Sequence, residues 1–388
     1  MKIIADQQIP NVAKAFSGCA DVTLCHGRDI TAERIEDANV LLVRSITAVN
    51  AKLLEGSQVK YVATATSGID HIDMEYLQQN NIGFTHAKGS NARSVAEYIL
   101  SSLFVLADQH DFNFKDKTVG VIGCGEVGSR VVDMLETIGV RCIMNDPPLK
   151  DALGNDQTVG ERYRDLQELI SVDIITLHVP LTEDGSYPTQ KLVDADFLAK
   201  LNDDVILINT ARGGVIDELA LKKHLDNHRG MKVVLDVWEG EPDIDIDLLS
   251  RVEIGTHHIA GYSTDAKYKA SEMVFHAICD FYKLDITWQS KTIIPETDLP
   301  ELDFISDISE EDAIQMAVLA SYDVRSDAAL LRCQPEITIE QRGRYFDELR
   351  KNYPVRREFS STVIKLSDSQ KILAKKLRQL GFNVKTFS

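Results

Sequence analysis

The chain has 388 residues, 44% of them hydrophobic and 26% charged, an ordinary globular composition at a length that calls for two or three domains. Its formal net charge of −18 argues against nucleic acid as a partner, because phosphate backbones are bound by excess Lys and Arg. No apolar run approaches a membrane span, and the start, Met1-Lys2-Ile3-Ile4-Ala5-Asp6, turns polar before a signal-peptide core forms, so no membrane association and a cytoplasmic protein are expected.

From Lys2 onward, short apolar runs alternate with polar, helix-like stretches: Lys2 to Ala5, Val22 to Leu24, Val40 to Val43, Tyr61 to Ala65 and Gly83 to Thr85. This is the rhythm of βαβ units feeding a parallel sheet. An amphipathic segment from Asn91 to Ala107 reads as a connecting helix. A second α/β series follows, with strands at Thr118 to Ile122, Val140 to Asn145, Asp173 to His178, Val205 to Asn209, Lys232 to Val237 and Val252 to Ile254, which suits a doubly wound sheet. Ala270 to Tyr282 reads as a helix that crosses back onto the first domain. After Trp288 the character changes, with Pro295, Pro300 and an acidic run from Glu301 to Asp312, and the remaining hundred or so residues suffice for a small separate domain.

The phrase Val119-Gly120-Val121-Ile122-Gly123-Cys124-Gly125-Glu126-Val127-Gly128 places Gly-x-Gly-x-x-Gly between an apolar strand and a helix. Gly123 permits the tight turn, Gly125 the approach of a pyrophosphate, and Gly128 close packing of helix on strand. Asp146 closes the next strand, 18 residues beyond Gly128, where a carboxylate accepts hydrogen bonds from the adenosine ribose. It would repel a 2'-phosphate, and Pro147-Pro148-Leu149 offers no Arg to hold one, so the expected cofactor is NAD.

Three further segments follow strand ends: Asn209 to Asp217, Asp236 to Pro242 and Thr256 to Gly261. Oxidation of a 2-hydroxy acid needs a cation for the substrate carboxylate, which Arg212 offers in two-pronged form. It needs a base for the hydroxyl proton, which an imidazole supplies near neutrality, at His258 or the adjacent His257. It gains from a carboxylate on the far ring nitrogen, a role that Glu241 fits. The cysteines Cys19, Cys25, Cys124, Cys142, Cys279 and Cys333 show no metal-binding spacing, and His224 with His228, four apart, lack a third ligand, so no metal is expected.

With the glycine fingerprint, these segments resemble the D-isomer-specific 2-hydroxyacid dehydrogenase family over roughly the first 290 residues. The resemblance implies an α/β protein of two doubly wound parallel-sheet domains, a flavodoxin-like substrate domain at 1–95 and 257–287 and a Rossmann NAD domain at 96–256, and it selects His258 over His257. The phrases Val43-Arg44-Ser45-Ile46-Thr47, Thr64 to His71 and His258-Ile259-Ala260-Gly261-Tyr262 resemble a branch of the family that takes a phosphorylated hydroxy acid. In that branch an α+β C-terminal dimerisation domain, here 288–388, gives a homodimer; Tyr322-Asp323-Val324-Arg325 and Leu349-Arg350-Lys351-Asn352-Tyr353 carry that likeness.

Carried over by position, Ser45, Thr66 and Tyr262 contact substrate. Glu126, Val127, Asp146, Val179, Thr210, Asp236 and Gly261 line the NAD site with the three glycines, Ala211 and Arg212. Arg44 joins the substrate set as a cation beside two hydroxyls at strand ends, suited to a second anionic group. In the tail, Arg342, Arg344, Arg350, Lys351, Arg356 and Arg357 interleave with acids and read as a solvated helix face, with a contribution to the partner subunit's site as the alternative. His257 stands where family members usually have proline, which leaves the stiffness of the approach to His258 open. The alternatives are a 3-phosphoglycerate dehydrogenase or another D-2-hydroxyacid dehydrogenase, and a non-enzymatic NAD-sensing corepressor on the same fold.

Overall fold

The computed structural model describes residues 1–154, 162–290, 294–304, 308–333 and 338–387. The chain divides into two compact units, Met1–Asn91 with Ser263–Pro295, and Ala92–Tyr262 with Glu296–Ser388.

The first unit is built on β1 (Lys2–Asp6), β2 (Asp21–Cys25), β3 (Val40–Val43), β4 (Tyr61–Thr64) and β5 (Gly83–His86), all parallel in the order β2-β1-β3-β4-β5. β3 and β4 are buried at every residue, as continuous apolar runs in a sheet covered on both faces should be. The helix Thr264–Tyr282 buries Val274, Phe275, Ile278 and Cys279 against Ile3, Ala5, Val40 and Ala63, so it does return to the N-terminal sheet. It begins six residues before the predicted start because a cap sets its entry: the Ser263 side chain accepts from the Ala266 N–H, a bond worth about 1 kcal/mol.

The second unit carries β6 (Thr118–Ile122), β7 (Arg141–Asn145), β8 (Ile174–Leu177), β9 (Ile206–Asn209), β10 (Lys232–Leu235) and β11 (Ile254–Gly255), again parallel, in the order β11-β10-β9-β8-β6-β7. The chain order reverses between β6 and β8. In an open sheet such a switch point leaves a crevice at the carboxyl ends of the strands, where ligands bind.

The tail carries a small sheet of its own within the second unit. Its strands β12 (Glu301–Asp303), β13 (Val363–Ser367) and β14 (Asn383–Phe387) form a parallel three-stranded sheet with helices Glu310–Ser321, Val324–Arg332, Ile339–Lys351 and Lys371–Leu380. Ala313, Ala317, Val318, Phe359, Leu373 and Leu377 share one core with Tyr98, Leu103 and Leu106 of the helix Ala92–His110 and with Val131 and Leu135 beside the nucleotide sheet. That central helix is apolar nearly all round because the tail covers the side that the sheet does not. No helix among the described residues is long and apolar enough to cross a membrane.

Candidate active site

At the β6–β8 switch point the glycine loop is as narrow as its sequence implies. Gly123 has φ +86°, and a Cβ there would stand 2.7 Å from the backbone of His178; a Cβ on Gly128 would stand 1.9 Å from the Gly123 carbonyl oxygen. At Gly125, by contrast, a Cβ would meet nothing within 4 Å. The helix Glu126–Thr137 starts here with no side-chain cap, so its first N–H groups face that open space, with Glu126 exposed and Val127 half-buried behind them. Half-buried Asp146 accepts from Cys124 N (2.8 Å) and Leu149 N (3.0 Å), which ties the end of β7 to the glycine loop. Val179 leads out of β8 against Gly123. The Thr210 hydroxyl oxygen, after β9, is enclosed and has no hydrogen-bond partner among the described residues. The cradle, the open space over the helix start and this hydroxyl fit NAD.

Arg212 sits on a turn clamped by Asn209, whose side chain accepts from Ala211 N (3.0 Å) and donates to the Arg212 carbonyl (2.9 Å). Gly213, next along, lies so close to the Trp238 carbonyl that a Cβ would stand 2.1 Å from it. The Arg212 turn is thereby pressed onto the loop that carries Glu241.

The His258 Nδ1–H donates to Glu241 Oε2 at 2.7 Å, and Glu241 Oε1 accepts from Trp238 N at 2.9 Å. Burial alone would raise the Glu241 pKa. The imidazole, the charge of Arg350 and the Trp238 N–H outweigh burial and hold it below the ordinary carboxylate range. A carboxylate kept ionised on Nδ1 leaves Nε2 as the proton acceptor of a neutral ring and stabilises the imidazolium once that ring is protonated.

His258 has φ +58°, a left-handed conformation that costs a non-glycine residue on the order of 1 kcal/mol or more. Asp236 holds it there. The Asp236 carbonyl accepts from His258 N (2.8 Å), Oδ1 from Thr256 Oγ1 (2.6 Å) and Ile259 N (2.8 Å), and Oδ2 from Ala260 N (2.9 Å). Asp236, expected from its position to line the NAD site, is 1% exposed, and its carboxylate anchors the loop that carries His258. Gly261 and Tyr262 follow that loop, half-buried.

His257 points the other way. It is 0% exposed, both ring nitrogens lack partners, and its ring packs edge-on to Phe346 and Tyr353. Burial, with the charge of Arg350, pushes its pKa down to about 4. A neutral, enclosed ring is poorly placed for proton transfer, whereas the His258 ring carries the bond to Glu241 and is partly open.

Two tail arginines overturn the reading of a solvated face. Arg356 is 5% exposed; it donates to the carbonyls of Ala260 (2.9 Å) and Ser94 (2.6 Å) and lies 3.6 Å over the Tyr322 ring. Arg350 Nη2 donates to the Tyr262 hydroxyl at 2.7 Å. Stiffness that a proline would give the approach to His258 comes instead from Asp236, from Arg356 and from His257 wedged among tail aromatics. Sequence reasoning missed these contacts because the partners lie 88 and 96 residues apart along the chain.

Arg44, Ser45 and Thr66 belong to the first unit. Val43 pairs with Thr64, so the Arg44–Ser45 turn and Thr66 leave neighbouring strand ends. Arg44 Nη1 also donates to Gln8 Oε1, across the β1–β3 switch point of this sheet. Ser45 is exposed, and the Thr66 hydroxyl donates to the Gly68 carbonyl at 2.9 Å. His224 and His228 stack on each other at 4.0 Å, and no group of metal-ligating residues occurs among the described residues.

Fold and site together define an NAD-dependent dehydrogenase of 2-hydroxy acids. Residues 104–260 match the family described as "D-isomer specific 2-hydroxyacid dehydrogenase, NAD binding domain", and residues 293–381 match a domain of unknown function, DUF3410. Erythronate-4-phosphate dehydrogenase of Marinobacter nauticus is 41% identical over 386 residues, covering 99% of this chain and 100% of that one. The protein of the same name from Klebsiella pneumoniae is 42% identical over 384 residues, covering 99% and 98%. Among solved structures, NAD-bound 3-phosphoglycerate dehydrogenase of Entamoeba histolytica is similar with a TM-score of 0.62 and 26% identity, over 74% of this chain and 96% of that one. The chain belongs to the D-isomer-specific 2-hydroxyacid dehydrogenase family.

Proposed function

We propose that the chain oxidises 4-phospho-D-erythronate at carbon 2 to (R)-3-hydroxy-2-oxo-4-phosphobutanoate, a step in pyridoxal 5'-phosphate (vitamin B6) biosynthesis. The observation that carries the chemistry is the 2.7 Å bond from His258 to Glu241 on a loop anchored at the carboxyl end of the nucleotide sheet. The likeness to the erythronate-4-phosphate dehydrogenases, which runs through the tail as well as the first 290 or so residues, supports the choice of acid.

Gly123, Gly125, Glu126, Val127 and Gly128 hold the NAD pyrophosphate at the helix start, Asp146 the adenosine ribose, and Val179, Thr210, Ala211, Arg212, Asp236 and Gly261 the remainder of the cofactor. Bound there, NAD supplies the hydride acceptor. Arg212 grips the substrate carboxylate and polarises the C2 oxygen. His258 Nε2 takes the hydroxyl proton as the C2–H bond breaks, and Glu241 stabilises the imidazolium that results. Arg44, Ser45 and Thr66 hold the phosphate, and Tyr262 contacts the substrate.

The three-part division at about residues 95, 257 and 288, a homodimer formed through 288–388 and a cytoplasmic location complete this reading. Steady-state NADH formation, with a 2-oxo-acid acceptor coupled if NAD stays bound, tests it. The reading expects kcat/KM for 4-phospho-D-erythronate to exceed that for 3-phosphoglycerate and for plain D-erythronate. Faster turnover of 3-phosphoglycerate would assign the chain to that acid instead.

A further inference from the structure

The tail helix Ile339–Lys351 ends against the catalytic loop, and Arg350 is the side chain it places there. Its Nη2 donates to the Tyr262 hydroxyl at 2.7 Å, its guanidinium lies 5.1 Å from the centre of the Tyr262 ring, and its Nε is enclosed without a partner. The same guanidinium interacts electrostatically with Glu241 and Asp236, the two carboxylates that orient and anchor His258, and with Asp347 of its own helix. On its other side stands the His257 ring, whose protonation Arg350 opposes. One half-buried cation thus joins the tail to the hydroxyl four residues beyond His258.

We propose that Arg350 is a positioning residue for the dehydrogenase reaction: it holds the Tyr262 hydroxyl toward substrate. A phenol is placed for a ligand only when a second group fixes it, and the planar guanidinium does so twice, through the N–H it donates to the hydroxyl and through its position over the ring. The loop that carries His258 thereby takes the support of its tyrosine from the tail of the same chain.

The inference rests on Tyr262 contacting substrate, and one double-variant cycle separates the two claims. Steady-state kcat and KM for 4-phospho-D-erythronate are measured in the full-length protein for the unmodified chain, Tyr262→Phe, Arg350→Met and the two combined. Tyr262→Phe raises KM by about 3-fold or more with kcat little changed, Arg350→Met raises KM likewise, and the combined variant is no worse than Tyr262→Phe alone, because both remove the same contact. If Tyr262→Phe leaves KM in place, the reading of Tyr262 as a substrate contact falls. If Tyr262→Phe raises KM but Arg350→Met lowers only kcat and the melting temperature, or the two effects add in full, Arg350 is merely structural and this inference is overturned.

Discussion

The loops at the carboxyl ends of the two large sheets are built to different standards. In the second unit, His258 sits in a left-handed conformation, on a loop held by Asp236 and by Arg356 from the tail, with Glu241 on its ring. In the first unit, Ser45 is exposed and Arg44 donates to the neutral side chain of Gln8. Chemistry that moves a proton over a fraction of an ångström needs a rigid base. Recognition of a phosphate group needs only a cation and hydroxyls within reach, and tolerates freedom in them. On the proposed reading, the second unit is organised for the reaction and the first for the choice of acid.

Breaking the rigid side should cost most. His258→Asn is expected to lower kcat by about 100-fold or more, whereas His257→Asn, which removes a ring that faces away from Glu241, should stay within about 10-fold of the unmodified rate. The reverse pattern in steady-state assays would move the base to His257. Next comes the glycine cradle. Gly125→Ala meets no protein atom, so it should fold normally, yet raise the NAD dissociation constant by about 10-fold or more by crowding the pyrophosphate off the helix N–H groups. Isothermal titration together with a thermal melt checks both halves of that expectation.

The smallest effect sharpens the comparison through stability. His257 is fully enclosed with its pKa pushed down to about 4, against about 6.5 in the unfolded chain, so below pH 6.5 the unfolded state binds the extra proton. Stability contributed by the neutral ring is complete above pH 6.5 and is lost as the pH falls from 6.5 toward 4, by up to about 3 kcal/mol at 1.36 kcal/mol per unit. Urea midpoints at pH 7 and pH 4.5 should therefore differ less in His257→Phe than in the unmodified chain. An equal difference in both would show that other groups drive the acid loss.

Much of this was legible in the chain itself. The strands of both large sheets declare themselves as short apolar runs, and the glycine loop, Asp146, Arg212, Glu241 and His258 fall where their types and spacing place them, because each belongs to a contiguous phrase at a strand end. Contacts that tie distant segments are not written locally. Nothing local says that the Asp236 carboxylate bonds Ile259 and Ala260. Arg350 and Arg356 share their charge pattern with the other arginines around them, and only the fold shows that both bond the loop around His258. The choice between His257 and His258 turns on which way two adjacent rings point, which the loop anchored by Asp236 decides.

The division of labour is tested most directly by one ratio, kcat/KM for 4-phospho-D-erythronate over kcat/KM for D-erythronate, measured in Arg44→Ala and in His258→Asn. Loss of a charge-assisted grip on phosphate should lower the ratio by about 10-fold or more in Arg44→Ala, while His258→Asn, which slows both acids alike, should leave it unchanged. A ratio that falls equally in both variants, or that holds in Arg44→Ala, would contradict the assignment of choice to the first unit and chemistry to the second.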